Sequence, residues 1–148
     1  MHYTKLLKGL LTLLPLTQAH ESQPKPPSLQ FLYTAYVICS PSIYEMQTPS
    51  GIQKAIPIIG GNFTGPRLKG KILDLGADWG YTDPQTGIFS ANTRYNLQTH
   101  DGANLFLQTS GANQANGELH LRIDISTGYK DYYWLNNIVG MYSFWRCR

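Results

Sequence analysis

The sequence is poor in charge and carries none of the common catalytic signatures. Charged residues make up 14% of its 148 positions, well below the roughly 25% usual in soluble domains. No segment shows a helical stripe of apolar residues, which excludes a coiled coil or a long helical array. A Gly-x-x-x-x-Gly-Lys-Ser/Thr run, a Gly-x-Ser-x-Gly elbow, a Cys-x-x-Cys pair and a His-Glu-x-x-His pair are all missing. Phosphate-cradling loops, serine-hydrolase nucleophiles and the usual zinc sites are therefore set aside, and no cofactor or metal is expected. Positive charge is also scarce. The net charge is +3, and without Lys5 and Lys8 the chain has 10 cations against 9 anions, too few to track a nucleic-acid backbone.

What is present points to strands, turns and export. The length suits one domain without a second core, and 14 glycines, 9 prolines and 10 tyrosines favour strands and tight turns. Residues 1–8 carry two lysines, residues 9–16 are apolar, and Thr17, Gln18 and Ala19 precede a plausible cleavage point. This pattern predicts a signal peptide over residues 1–19 and a secreted protein. The run is interrupted by Pro15, Thr17 and Gln18 and falls short of the about 20 apolar residues of a membrane span, so no membrane attachment is expected after cleavage. Residues 20–28 (HESQPKPPS) read as a Pro-rich leader, which places the folded domain at 29–148.

Export changes how two side-chain types read. In an oxidising compartment Cys39 and Cys147 would form one disulfide, worth roughly 4.7 kcal/mol for a loop of about 100 residues; the alternative is one buried and one frayed thiol. Asn62, within Asn62-Phe63-Thr64, is the only Asn-x-Ser/Thr glycosylation acceptor.

From Leu29 the dominant period is two. Leu29, Phe31, Tyr33, Ala35, Val37 and Cys39 share one face of a first strand whose other face is also largely apolar, so this strand is expected to be central. Further strands are predicted over 54–59, 68–75, 88–99, 103–109, 118–126 and 132–144. Asp101-Gly102 between two alternating runs predicts a two-residue type I′ hairpin. In 118–126 Leu119, Leu121, Ile123 and Ile125 alternate with polar residues, so one face is buried. In 88–99 the row Ser90, Asn92, Arg94, Asn96 and Gln98 is either a solvated surface or the polar wall of a ligand cavity. The fold class is all-β, as a compact antiparallel barrel or sandwich.

Gly60, Gly61, Phe63, Gly65, Pro66, Leu68 and Gly70, followed by Gly76, Ala77, Asp78 and Trp79, resemble the uncharacterised protein family 0311, also known as domain of unknown function 3237. The resemblance continues through Arg94-Tyr95, Asp101-Gly102-Ala103 and Tyr133-Trp134-Leu135-Asn136. It implies a compact antiparallel β-barrel and no assigned reaction. Members of that family usually continue past the Trp-x-Asn block into a closing strand, whereas this chain stops soon after Gly140. The last strand is therefore expected to be incomplete unless the segment from Tyr142 to Trp145 pairs in its place. The glycines themselves would serve bulges and close strand approach.

The remaining candidates for chemistry are polar groups among aromatics. Asp78 beside Trp79 is the best general base, since an indole shielding the carboxylate would raise its pKa; the alternative is a carboxylate accepting backbone hydrogen bonds at a turn. Arg94 would steady an enolate or carboxylate, and Tyr133 or Asn136 would donate to a developing oxyanion, unless each only ties the lattice together. Trp79, Tyr95 and Trp134 are either ligand platforms or core. His100 beside Asp101 is a poor catalytic pair, because neighbours in a strand point to opposite faces.

Two classes of function remain. One is a secreted or secretory-pathway barrel that binds a small, partly apolar organic ligand and promotes a cofactor-free isomerisation, cyclisation or elimination. The other is a noncatalytic binding or structural protein, including a truncated family member without activity.

Overall fold

The computed structural model describes residues 23–144. The predicted signal peptide over 1–19 and the predicted disulfide partner Cys147 lie outside the described residues. Residues 23–31 are exposed and without regular structure, as the Pro-rich composition of the leader implies.

Nine strands follow: β1 (Thr34–Cys39), β2 (Tyr44–Thr48), β3 (Gly51–Thr64), β4 (Lys69–Asp78), β5 (Tyr81–Thr82), β6 (Phe89–Thr99), β7 (Asn104–Ala112), β8 (Leu119–Ser126) and β9 (Gly140–Phe144). All pairings are antiparallel. β3 pairs with β4, β4 with β6, and the short β5 joins β6 back to β3, so these four strands close into a barrel. β1 and β2 add to the other edge of β3, and β7, β8 and β9 extend the sheet beyond β6. The Tyr142 hydroxyl on β9 donates to the Ala35 carbonyl on β1 at 3.2 Å, which brings the last strand back to the first.

Such long strands can wrap a small core only if they bend. β3 breaks register between Pro57 and Gly61, and β4 between Ile72 and Gly76; bulges of this kind turn barrel corners. At Gly61 φ is +133° and a Cβ would lie 2.0 Å from the Tyr36 carbonyl oxygen, so only glycine allows β1 to approach β3 here. Inside the bend, Phe63, Leu97, Leu105, Leu107 and Leu135 form the most buried part of the core.

The alternation in the sequence assigns the faces correctly. On β8 Leu121 and Ile125 are buried and His120, Arg122 and Asp124 exposed; on β6 the odd-numbered residues from Ala91 to Thr99 are buried. The row containing Arg94 therefore faces outward. The expected central position of the first strand is not observed. Among the described residues β1 pairs only with β3, and Leu29 and Phe31 precede it as exposed residues. Both faces of that segment are apolar, but hydrogen-bonded neighbours decide where a strand sits, and apolarity alone does not.

Two other expectations change. The segment 132–144 is not one strand, because Lys130–Asn137 forms a 3₁₀ helix before β9. Tyr132 and Leu135 are three residues apart, share a face of that helix and are both buried. Asn136 holds the turn by accepting from the Thr127 N–H and donating to the Thr127 carbonyl, each at 3.0 Å. The segment after Gly140 does pair, with β8, from Ile123↔Gly140 to Leu119↔Phe144. Between β6 and β7 the expected two-residue turn is a three-residue loop, with Thr99 N–H donating to Ala103 O at 2.9 Å and Gly102 N–H to Thr99 O at 3.0 Å. A type I′ turn needs positive φ at both central residues, and here only Gly102 has it, at +89°. Asp101 instead accepts hydrogen bonds from the Thr99 and Tyr132 hydroxyls.

Candidate functional site

The inward faces of the curved sheet do not fill the space between them. They leave a cavity of about 380 Å³ lined by Val37 and Cys39 of β1, Ile56 and Ile58 of β3, Asp78 of β4, Phe89, Ala91, Thr93 and Tyr95 of β6, Thr109 of β7, Leu119 and Leu121 of β8, and Tyr142 of β9, with Asn113 and Gly117. The lining is mostly apolar with a few polar groups, the usual composition of a small-molecule site.

Among the described residues Asp78 is the one carboxylate in this wall, which has no Lys, Arg, His or Glu from them. As the last residue of β4 it pairs with Ile56 on one side and Thr93 on the other, which turns its side chain inward and leaves it 8% exposed. The Asn92 N–H donates to its Oδ1 at 2.8 Å. Burial pushes the carboxyl above its ordinary pKa, while backbone hydrogen bonds from Asn92 and Gly80 pull in the opposite direction. A carboxyl so placed can hold a proton in an apolar space and can also give it up.

The hydroxyls come next. Thr93 and Thr109, directly opposed in the β6–β7 ladder, share a buried hydroxyl–hydroxyl hydrogen bond. Burial, reinforced by the nearby Tyr142, raises the Tyr95 phenol well above the ordinary tyrosine range. Tyr142 is raised by burial. All of these phenols are neutral donors at physiological pH.

The other residues predicted for the site lie elsewhere. Arg94 is on the outer face of β6, where its guanidinium donates to Asn92 Oδ1 at 3.2 Å, and the strand alternation that buries Tyr95 necessarily turns it out. Trp79 is 51% exposed and does not line the cavity. The expected shielding of Asp78 by its indole is therefore replaced by burial against the opposite strands. Trp134 packs half-buried against the core beneath the Arg67 guanidinium, 3.6 Å from its ring centroid, a cation–π contact. Tyr133 is exposed, and Asn136 is engaged with Thr127 and the Tyr133 carbonyl. Asn62 lies exposed on β3. Of the predicted set, only Asp78, Tyr95 and Cys39 meet at the cavity.

Sequence reasoning overlooked Phe89, Thr93, Thr109 and Tyr142. The first two were legible from the odd-numbered face of β6. Tyr142 was hidden by reading 132–144 as one strand, which leaves its register undefined. Among the described residues no cluster of three or more His, Cys, Asp or Glu side chains stands ready for a metal ion.

A barrel with an apolar, single-carboxylate cavity defines the class, and comparison supplies the family. The chain belongs to the family of proteins of unknown function DUF3237, whose profile matches residues 27–125. It is 30% identical over 117 residues to the hydroalkoxylation enzyme phnH of Penicillium herquei, covering 79% of this chain and 74% of that one. Among solved structures it resembles a β-barrel-like protein of Acinetobacter baumannii AYE, with a TM-score of 0.72 and 33% identity over 80% of this chain and 88% of the other. It also resembles an enzyme from Penicillium herquei, with a TM-score of 0.71 and 28% identity over 81% and 85%.

Proposed function

We propose that this protein is a cofactor-free cyclase that adds a hydroxyl group of a small, partly apolar organic substrate across a carbon–carbon double bond of the same molecule. The observation that carries the reading is Asp78, a buried carboxyl that is the one charged side chain the described residues bring to the cavity. The 30% identity to a hydroalkoxylation enzyme supports the same reaction class.

The protonated Asp78 donates its proton to one alkene carbon, so that a C–H bond forms as the π bond breaks. The substrate's own hydroxyl oxygen attacks the resulting cationic carbon, forming the C–O bond, and its proton returns to Asp78. Substrate and product are isomers, and no oxidant or reductant is consumed. The apolar side chains of Ile56, Ile58, Phe89 and Leu121 offer no nucleophile that would compete with the substrate's hydroxyl for the cation. The aromatic residues Tyr95 and Phe89 line the same cavity, and a π face favours positive charge.

An alkenyl phenol such as 2-prenylphenol tests the reaction. Turnover in heavy water should give a cyclic ether with one non-exchangeable deuterium, and Asp78→Asn should abolish turnover while leaving substrate binding within about twofold of wild type. Undiminished turnover in Asp78→Asn would overturn the assignment. Export through the secretory pathway, supported by the lysines and apolar run of residues 1–19, is proposed alongside it.

A further inference from the structure

The polar groups of the cavity wall are aligned. Asp78 pairs with Thr93 across β4 and β6, and Thr93 pairs with Thr109 across β6 and β7, so three side chains that line the cavity form one row over neighbouring strands. Ile56 stands beyond Asp78 in this row and Ile123 beyond Thr109. Strand alternation gives the same face to the rows on either side. One of these, Gly76, Tyr95, Leu107 and Ile125, is apolar apart from its phenol, and the other contains Ala91 and Gly111.

Counting hydrogens singles out the threonines. Two hydroxyls carry two hydrogens, and the bond that Thr93 and Thr109 share uses one. Neither hydroxyl has a further hydrogen-bond partner among the described residues, although the two residues are only 8% and 4% exposed. The pair therefore offers one donor hydrogen to whatever occupies the cavity. A buried donor without an acceptor is rarer and costlier than an acceptor with a spare lone pair.

We infer that Thr93 and Thr109 form a subsite for an acceptor oxygen of the ligand, one strand spacing, about 5 Å, from Asp78. This rests on the cyclase reading and deepens it by naming the substrate class: a hydroxyalkene that carries a further oxygen, such as a carbonyl. That oxygen, held by the threonine pair, sets which alkene carbon meets the Asp78 carboxyl. Whichever hydroxyl accepts the shared bond is the one that donates to the ligand, and chained hydrogen bonds of this kind strengthen one another. The threonines bind and orient, and no proton leaves them.

The test compares 2-decalone with decalin, two saturated bicyclic probes that differ by one carbonyl oxygen and contain no reacting alkene, by headspace partition over solutions of the full chain. Thr93→Val combined with Thr109→Val replaces both hydroxyls by methyl groups, which is nearly neutral for folding because both partners of the shared bond go together. This double variant should bind 2-decalone about fivefold more weakly than wild type, as expected for one net hydrogen bond, and should bind decalin within about twofold of wild type. Thr93→Ser combined with Thr109→Ser keeps both hydroxyls and should bind 2-decalone within about twofold of wild type. Unchanged 2-decalone affinity in the valine pair, an equal loss for both probes, a serine pair as weak as the valine pair, or failure of wild type to bind 2-decalone overturns this inference. The cyclase reading is decided separately by turnover of 2-prenylphenol, which has no second oxygen for the subsite.

Discussion

The Asn92 N–H reaches Asp78 Oδ1 at 2.8 Å, so the carboxyl that faces the cavity is also the acceptor that closes the backbone where β4 meets β6. These two duties respond differently to pH. Desolvation raises the folded pKa of Asp78 above its ordinary value of 3.8. Its ionisation therefore subtracts stability as pH rises from that value through the raised one, and the loss is complete above it. A carboxamide keeps an acceptor for Asn92 and carries no charge. The melting temperature of Asp78→Asn relative to wild type should thus climb as pH rises through this window and keep its gain above it. Thermal melts of both proteins at several pH values check this, and a variant uniformly less stable than wild type would contradict it.

The opposite sign is expected at Asp101. Hydrogen bonds from Thr99 and Tyr132 hold its carboxyl below the usual carboxylate range, so their stabilisation is present above the unfolded pKa and is lost as pH falls through the folded one. Tyr132→Phe, which removes the donor that ties the 3₁₀ helix to the β6–β7 loop, should lower the melting temperature at neutral pH. Most of that difference should vanish in strong acid.

Gly61→Ala should be severely destabilising, by about 3 kcal/mol. The added methyl would meet the Tyr36 carbonyl oxygen at 2.0 Å on a backbone with φ of +133°. Chemical denaturation of the variant measures the loss, and a change below about 1 kcal/mol would show that β1 can shift away from β3.

Processing and crosslinking can be read by mass. If residues 1–19 are cleaved on export, N-terminal sequencing of extracellular protein should begin at His20. If Cys39 and Cys147 are joined, the mature protein should weigh two hydrogens less before reduction than after it, and reduction should lower its melting temperature. Two freely alkylated thiols in the native protein would exclude the bridge.

Much of the barrel was legible before any coordinates. Strict alternation in Leu119–Ser126 and Phe89–Thr99 identified both strands and their buried faces, because a pleated strand presents every second side chain to the same side. The glycine-rich block correctly announced close strand approach. Asp78 was legible as a candidate, although its perturbation comes from burial and not from the neighbouring indole.

Other features depended on contacts far apart in the chain. Alternation says which residues share a face, but not which strand lies alongside, so nothing local placed β1 at an edge or brought β5 between β3 and β6. Arg94 and Tyr95 adjoin in sequence, yet one faces solvent and the other the cavity. The 3₁₀ helix arose where Asn136 and Tyr132 found partners at Thr127 and Asp101, bonds that outweighed a strand-like composition. By itself the sequence determined the all-β class and the alternating faces, since these follow from residue type and a period of two, while its glycine and aromatic motifs carried the resemblance to the family. Only the tertiary structure decided that Asp78, Tyr95 and Tyr142 meet in one cavity, because that requires β4, β6 and β9 to curve around a shared interior.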